Sequence, residues 1–153
     1  MKNNEKCNCG MIPFIEKSLN GKLYLKCRCG FSASPASDVN TAILNWHTDN
    51  VSAKYADDII ASFDDRKKNF LMAIIKDEMS DYNFNESFVS QGEIVVDLVK
   101  LMPKIDTFVF NALSGDGIII PLQSSPDKQL IIMSPLGMLF LYCLAGKKDK
   151  FYS

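Results

Sequence analysis

Several stretches of the chain carry apolar side chains at helical spacing. In residues 64–79 apolar positions recur every three or four residues between charged ones, which predicts an amphipathic helix, and residues 57–63 predict a shorter helix before it. Ser134 followed by Pro135 is a typical helix cap and first turn. A strongly apolar helix is expected from there to Gly146, either as the central core helix or as part of an oligomer interface.

Another helix is predicted from Gln91 to Met102. Ser90 stands three residues before Glu93, which is the spacing of a capping box, and Pro103 would end the helix. Its buried face would consist of Ile94, Val95, Leu98 and Leu101.

The hydrophobic period changes after Pro103. Short apolar and β-branched runs cover residues 105–113, 118–122 and 129–133, and turn residues separate them. This spacing is typical of a three-stranded antiparallel meander. The first separator, Ser114-Gly115-Asp116-Gly117, resembles a phosphate or metal loop only superficially, and a hairpin turn explains it better.

Near the N-terminus, Asn20-Gly21 stands between two short runs of strand character. Asn-Gly is a strong hairpin signal because both central residues of a type I′ turn need positive φ. The expected pairing would place Glu16 opposite Leu25.

A helix is expected directly after this hairpin. Ser37 or Asp38 can cap it. Ala42, Ile43 and Trp46 lie at i, i+1 and i+4, so one face is apolar and would close over the hairpin.

Together these elements predict an α+β fold in two parts. Residues 1–50 would form a small module of hairpin and closing helix, and residues 51–153 an α+β domain with a helical segment, the meander and a C-terminal helix. Composition agrees with a packed globular protein, since 47% of residues are hydrophobic and 23% are charged. No apolar run approaches the ~20 residues of a membrane span, and the first residues lack the apolar core of a secretory signal. We therefore expect a cytoplasmic protein without a membrane partner.

Two cysteine pairs, each followed by glycine, supply the most specific chemistry in the chain. Cys7 and Cys9 form the first pair, and Cys27 and Cys29 the second. In a reducing cytoplasm such pairs are metal ligands rather than disulfides. Tetrahedral zinc needs four soft ligands from two chain segments, which predicts one structural zinc ion. Four buried thiols without metal are the alternative, which the small amount of apolar material in this module disfavours.

This module resembles the small zinc ribbons of the Lar-like restriction-alleviation family carried by phages and prophages. The shared pattern is a cysteine pair with glycine, a hairpin, a second such pair, and Ala42, Ile43 and Trp46 followed by a polar residue. In that family two residues generally separate the paired cysteines and asparagine usually follows the tryptophan, whereas here one residue separates them and His47 follows Trp46. The resemblance implies a ribbon fold in which the metal ligands are Cys7, Cys9, Cys27 and Cys29.

His47 is the only histidine in the sequence. It could replace one cysteine as a ligand, but its place beyond the second pair favours a surface position or a position beside the ligands. Cys143, the fifth cysteine, falls in the last predicted helix and is expected to act as a small buried hydrophobe.

The cysteine module is the basic part of the chain. Residues 1–35 contain six Lys or Arg against two Asp or Glu, although the formal net charge of the whole chain is −1. The excess either offsets the charge of a zinc ion with four thiolates or forms a nucleic-acid face. The candidate contact residues for DNA, RNA or another partner are Lys17, Lys22, Tyr24, Lys26 and Arg28.

The resemblance implies a non-enzymatic phage or prophage accessory protein. It would bind a host protein or nucleic-acid complex and counter restriction or another host defence, and a homo-oligomer is compatible with the sequence. The first alternative is a zinc-ribbon regulator of transcription. The second is a metal-dependent nuclease that would use scattered carboxylates such as Asp57, Asp58, Asp64 and Asp65.

Overall fold

The computed structural model describes residues 5–152 and shows an α+β protein, as predicted. Its N-terminal part begins with the antiparallel strands β1 (Phe14–Lys17) and β2 (Leu23–Lys26). Glu16 lies opposite Tyr24, and Leu25 lies opposite Ile15, so the expected pairing of Glu16 with Leu25 was wrong. The observed register puts Ile15 and Leu25 on one face of the hairpin, and Glu16 and Tyr24 on the other.

The hairpin turns at Asn20-Gly21, as predicted, but through a different type of turn. Among the described residues only glycines have positive φ, so Asn20 does not occupy a type I′ position. Gly21 has a φ of 84° and donates its N–H to the Ser18 carbonyl at 3.0 Å, while Ser18 N–H donates to the Lys22 carbonyl at 2.8 Å. This is a three-residue loop with a left-handed glycine at its end.

Helix α1 (Val39–Lys54) closes over the hairpin, as predicted. Asp38 caps it by accepting a hydrogen bond from Thr41 N–H at 2.8 Å. Trp46 is fully buried, and its ring meets the Phe31 ring edge-on with centroids 5.8 Å apart. The helix continues through residue 50, where the domain boundary was predicted, so the chain has no linker there.

The next segment is helical, as predicted. It comprises α2 (Ala56–Ala61), α3 (Asp65–Ala73) and one π-helical turn (Ile74–Glu78). Asp64 caps α3 by accepting a hydrogen bond from Lys67 N–H at 2.9 Å. The buried face consists of Phe70, Leu71, Ile74 and Met79.

The predicted helix over residues 91–102 was wrong. The chain forms a single-turn helix α4 (Phe88–Gln91), strand β3 (Val95–Asp97) and a second short helix α5 (Leu98–Leu101). Gly92, with a φ of 78°, ends α4. The β-branched residues that follow it fit a strand better than a helix.

The caps in this segment also differ from the predicted capping box. Ser87 caps α4 by accepting a hydrogen bond from Ser90 N–H at 3.3 Å, so Ser90 is inside the helix. Glu93 lies after the end of α4. The buried Asp97 begins α5, and its carboxylate accepts hydrogen bonds from Val99 N–H at 3.2 Å and from Gln129 N–H at 3.1 Å.

The predicted strand over residues 105–113 is instead helix α6 (Thr107–Gly115). Asp106 caps it by accepting a hydrogen bond from Val109 N–H at 3.2 Å. Val109 and Leu113 are four residues apart and both buried, so a side-chain cap and helical spacing outweigh the strand-like composition.

Ser114-Gly115-Asp116-Gly117 therefore ends a helix instead of joining two strands. Gly117 has a φ of 74° and donates its N–H to the Ser114 carbonyl at 3.1 Å. Ile118 N–H donates to the Leu113 carbonyl at 3.0 Å. These two bonds form a Schellman motif.

The sheet has three antiparallel strands, as predicted, but its composition and order differ. Strands β4 (Ile119–Ser125) and β5 (Lys128–Met133) form a hairpin, and β3 pairs with the other edge of β5. The order β3-β5-β4 is not that of a meander.

Helix α7 (Pro135–Leu144) is the central core helix, one of the two predicted roles. Ser134 caps it by accepting a hydrogen bond from Gly137 N–H at 2.9 Å, and every residue from 135 to 142 is buried. Gly137 lies against the backbone of Ile118, where a Cβ would come within 2.1 Å of the carbonyl oxygen. Cys143 is half-buried against the core.

The core is continuous from the hairpin to the C-terminal segment. One cluster of buried residues contains Cys7, Leu25 and Trp46 together with α7 and Phe151. A short 3₁₀ helix (Lys148–Lys150) precedes Phe151. None of the helices within residues 5–152 is both long and apolar enough to cross a membrane.

Candidate metal centre

The four predicted ligands lie together. The Sγ atoms of Cys7, Cys9, Cys27 and Cys29 are all within 4.8 Å of one another. Cys7 Sγ is 3.7 Å from Cys29 Sγ, and Cys9 Sγ is 3.4 Å from Cys27 Sγ. A tetrahedral zinc ion with Zn–S bonds of about 2.3 Å has sulfur–sulfur edges of about 3.8 Å. The spacing therefore fits one tetrahedral ion, and all five cysteines are free of disulfide bonds.

Two equivalent turns place these sulfur atoms. Cys7 N–H donates to the Met11 carbonyl at 2.9 Å, and Gly10 N–H donates to the Cys7 carbonyl at 2.8 Å. The same two bonds join Cys27 to Phe31 at 2.8 Å and Gly30 to Cys27 at 3.0 Å. We call residues 7–11 the first knuckle and residues 27–31 the second knuckle.

Glycine is required at the fourth position of both knuckles. Gly10 has a φ of 96° and Gly30 a φ of 99°, in the left-handed region that other residues rarely adopt. Gly21 has the equivalent place in the hairpin loop, so the module uses the same turn three times. The glycine after each cysteine pair was the sequence signal for these turns.

Hydrogen bonds between the thiols, burial, and backbone hydrogen bonds to the sulfur atoms shift the pKa values of three of the thiols. Cys27 is fully buried, which raises its pKa to about 11 even though Cys29 N–H donates to its sulfur. A hydrogen bond from Cys7, together with one from Phe31 N–H, lowers the pKa of Cys29 to about 5. Its hydrogen bond to Cys29 and its burial raise the pKa of Cys7. A metal that needs thiolates must displace protons, so its affinity will depend on pH.

Tyr152 lies beside the cysteine cluster. Burial raises the pKa of its hydroxyl, and charge on Cys7, Cys29 and Cys9 raises it further. The Asn8 side chain lies near the hydroxyl and acts against this rise of its pKa, but Asn8 Nδ2 donates its hydrogen bond to the Asn50 carbonyl at 2.9 Å. The hydroxyl is inaccessible, and no group among the described residues meets it with hydrogen-bond geometry. A thiolate sulfur can accept a hydrogen bond from a phenolic O–H. This hydroxyl, which has no hydrogen-bond partner within residues 5–152, therefore also fits a metal centre whose ligands are charged thiolates.

The second knuckle packs against the larger part of the chain. A Cβ at Gly30 would lie 3.0 Å from Val89 and 3.5 Å from Phe88, whereas a Cβ at Gly10 would meet no atom within 4 Å. Phe88 stacks on Phe151 with ring centroids 5.0 Å apart. Helix α4 and the C-terminal segment thus flank one side of the cluster.

His47 is not part of the metal-binding group. It is exposed, and its Nδ1 lies 3.1 Å from Oε1 of Glu5. The other carboxylate oxygen of Glu5 accepts a hydrogen bond from Asn50, and its backbone carbonyl accepts one from Trp46. The surface role that the sequence favoured for His47 agrees with this position.

The structure does not gather the five candidate contact residues on one face. Tyr24 and Lys26 share a face of the hairpin, where Tyr24 donates a hydrogen bond to Glu16 at 2.7 Å and Lys26 lies 3.9 Å from the same carboxylate. Lys17 and Lys22 lie at the turn end of the hairpin. Arg28 is in the second knuckle, beyond the opposite end of β2.

The carboxylates suggested for a nuclease are not gathered either. Within residues 5–152 the one group of three or more ligand-type side chains able to hold a metal is the cysteine cluster. Asp57 pairs with Lys148 at 3.1 Å, and Asp64 caps α3. Asp58 and Asp65 are exposed in the first turns of their helices.

A cleft of about 550 Å³ lies between α1 and the end of α6, and residues 114–117 line it. Asp49, which also lines the cleft, is 9% exposed and accepts hydrogen bonds from Ser34 N–H at 2.8 Å and from Ser34 Oγ at 3.1 Å. Burial raises the pKa of Asp49, and these hydrogen bonds act against the rise. Sequence reasoning missed this carboxylate because nothing local distinguishes it from an exposed helix residue.

Comparisons with known proteins found no match. No family model matches the chain, and no curated protein or solved structure matches it. The resemblance of the cysteine module to Lar-like zinc ribbons therefore stays a prediction. The fold and the cysteine cluster define this chain as an α+β protein with a four-cysteine group that could hold a metal ion.

Proposed function

We propose that this chain is a zinc-binding, non-enzymatic protein that acts by binding a macromolecular partner. The observation that carries the proposal is the convergence of four cysteine sulfur atoms on one point. Thiolate donors favour zinc over hard cations such as magnesium or calcium. A tetrahedral ion held by four protein ligands has no open position for water or substrate. The ion would hold the two knuckles together and fix the surface around them.

The zinc site can be tested on freshly purified, reduced protein. Native mass spectrometry should show about one zinc ion per chain. Cys27→Ala removes a fully buried ligand, and Cys143→Ala is the matched control because Cys143 lies outside the cluster. Zinc binding contributes on the order of 10 kcal/mol in small zinc modules, so Cys27→Ala should lose the metal and much of its thermal stability. Metal-free wild-type protein, or equal stability of the two variants, would contradict the proposal.

The proposed partner is a host protein or nucleic-acid complex of a restriction or other defence system. The resemblance of the cysteine module supports this part. Cross-linking and affinity capture from bacterial lysate should recover a specific complex with zinc-loaded protein. Cys27→Ala should recover less of it, and Cys143→Ala the same amount. If wild-type protein captures no specific complex, or if Cys27→Ala captures as much of it as wild type does, the binding role is wrong.

A nucleic-acid-binding regulator is the second proposal and a nuclease the third. Glu16 places a negative charge beside Tyr24 and Lys26, which does not favour phosphate binding on that face. A mobility shift that weakens steeply with salt and with Lys26→Ala plus Arg28→Ala would support the second proposal. Plasmid degradation with magnesium or manganese that EDTA stops would support the third.

A further inference from the structure

Strand β1 is an edge strand with a free backbone side. Ser18 N–H donates to the Lys22 carbonyl, so by alternation the backbone groups of Glu16 and Phe14 point toward β2. Those of Ile15 and Lys17 point away from it. The sheet contains only β1 and β2, so within residues 5–152 no strand pairs with this outer side.

The chain leading into this edge exposes apolar side chains. Ile12 is 65% exposed, and Met11 and Phe14 are each 41% exposed. They line a shallow groove of about 420 Å³ that extends from the start of β1 to the first knuckle. Several exposed apolar residues beside an unpaired strand edge are typical of an interaction surface.

Two cations complete the groove. Lys6 from the segment before the first knuckle and Arg28 from the second knuckle both line it. Neither forms an ion pair within residues 5–152, whereas Lys26 lies near Glu16 and Lys148 pairs with Asp57. An apolar groove lined by these two cations complements a segment that presents apolar side chains and carboxylates on the same face.

We propose that β1 and this groove bind an extended acidic segment of a partner protein, which adds to the sheet as a strand. The backbone groups of Ile15 and Lys17 would form the ladder, and Met11, Ile12 and Phe14 would receive alternate apolar side chains. Lys6 and Arg28 line the same groove, so they would pair with carboxylates on that same face of the added strand, to which every second residue points. This inference rests on the proposed partner-binding function and names the chemistry of the partner.

Charge separates this occupant from two others. In an antiparallel pair of β1 strands, a second copy would bring its turn end, with Lys17 and Lys22, toward the groove lined by Lys6 and Arg28, and like charges disfavour that contact. A nucleic acid would match the cations, and Phe14 could stack on one base, but Met11 and Ile12 provide no ring for further bases. A nucleic acid also has no peptide groups to pair with the free edge of β1. An acidic, apolar protein segment matches both features.

The test uses the full zinc-loaded chain and two synthetic octapeptides. One has Glu, Leu, Val and Glu at positions 1, 3, 5 and 7, which share one face of the strand, and Thr at the even positions. The other has Lys in place of each Glu. Titration followed by amide NMR should show binding of the acidic peptide that weakens as salt is raised from 50 to 300 mM, because surface charge pairs are screened. Hydrogen exchange at the Ile15 and Lys17 amides should slow, and exchange at the Glu16 amide, already directed at β2, should change little.

Matched variants separate the backbone from the side chains. Ile15→Pro removes an outward N–H without removing a bond to β2, and Ile15→Thr keeps that N–H. The Pro variant should lose the acidic peptide, whereas the Thr variant should bind it within a fewfold of wild type. Lys6→Glu with Arg28→Glu should weaken acidic-peptide binding by at least about fivefold and favour the basic peptide. Retained β1 and β2 amide shifts show that each variant is folded.

Several results would overturn the inference. The acidic-segment partner is wrong if the two peptides bind equally well, or if millimolar acidic peptide shifts no amide signal. Strand addition is wrong if the peptide binds without slowing hydrogen exchange at the Ile15 and Lys17 amides. Stronger shifts of these amides with a single-stranded oligonucleotide, or dimerisation through β1, would point to a different occupant. Complexes captured from lysate distinguish the two proposals. If capture depends on an intact zinc site but is unaffected by Ile15→Pro and Arg28→Glu, partner binding stands and this surface is wrong.

Discussion

Gly137→Ala tests the closest contact in the core. The added Cβ would lie 2.1 Å from the Ile118 carbonyl oxygen and 2.9 Å from Met133 Cε. Carbon and carbonyl oxygen normally meet at ~3.3 Å or more, so α7 and the Ile118 backbone must separate by roughly 1 Å. The same Ile118 carbonyl accepts hydrogen bonds from Ser134 N–H at 3.1 Å and from Ser134 Oγ at 3.0 Å, which the shift would strain.

Overpacking usually costs about 1–3 kcal/mol, and here the obstacle is backbone that cannot rotate away. We therefore expect Gly137→Ala to lower the free energy of unfolding by at least about 3 kcal/mol. In a chain of this size that corresponds to a fall in Tm of about 6–12 °C. Urea unfolding followed by circular dichroism would give the free energy, and calorimetry would give the Tm.

Gly115→Ala is the matched control for this prediction. Gly115 is helical, and its added Cβ would meet no atom within 4 Å. The substitution reduces the freedom of the unfolded chain and should stabilise the protein by about 0.4–1 kcal/mol. Opposite signs at the two glycines are the expected result. A loss below about 1 kcal/mol for Gly137→Ala would refute the contact geometry.

Three further predictions concern the cysteine module and the cleft. Tyr152→Phe removes an orphaned buried hydroxyl, so it should stabilise the metal-free protein but lower zinc affinity by about tenfold in a chelator competition. Gly10→Ala and Gly30→Ala should each lower the free energy of unfolding by about 1 kcal/mol through backbone strain. Gly30→Ala should lower it further because of the contact with Val89, and replacing Val89 by Ala as well should remove this additional loss. Burial raises the pKa of Asp49 in the folded state. The stability that this group contributes is therefore fully present below its unfolded-state pKa and is lost as pH rises from there through the raised pKa. Asp49→Asn should remove this pH dependence in thermal melts.

Each of these predictions has a contrary outcome. Equal zinc affinity of wild type and Tyr152→Phe would show that the hydroxyl does not support the ligands. Equal losses at Gly10 and Gly30 would show that the contact with Val89 adds no strain. A pH profile of Asp49→Asn parallel to that of wild type would mean that other groups dominate the acid dependence.

Local signals predicted those elements whose caps and spacing agree. Asp38, Asp64 and Ser134 cap α1, α3 and α7, and the apolar residues after each cap keep the helical period. The same logic at Asp106 would have predicted α6, but the apolar residues after it also suit a strand. Whether a short apolar run forms a helix or a strand depends on the surface against which it packs, and the residues near it in sequence do not indicate that surface.

The cysteine cluster was predictable because its geometry is local. Two pairs, two glycines and one hairpin bring four sulfur atoms together through short turns. No sequence motif marks the residues that surround the cluster and its groove, which include Tyr152, Val89 and Lys6. Their positions depend on how segments far apart in the sequence pack together. The failed helix over residues 91–102 has the same cause, because pairing with β5 stabilises β3.

The repeated five-residue turn has a consequence for the order of folding. Contacts within each turn close short loops, which is fast and loses little chain entropy, whereas the cover from α4 and Tyr152 requires segments far apart in sequence to meet. The knuckles can therefore capture a metal ion before the main core forms. Stopped-flow refolding with zinc present should then show metal uptake before the burial of Trp46. The metal-bound hairpin would form early, and α1 would pack on it afterwards.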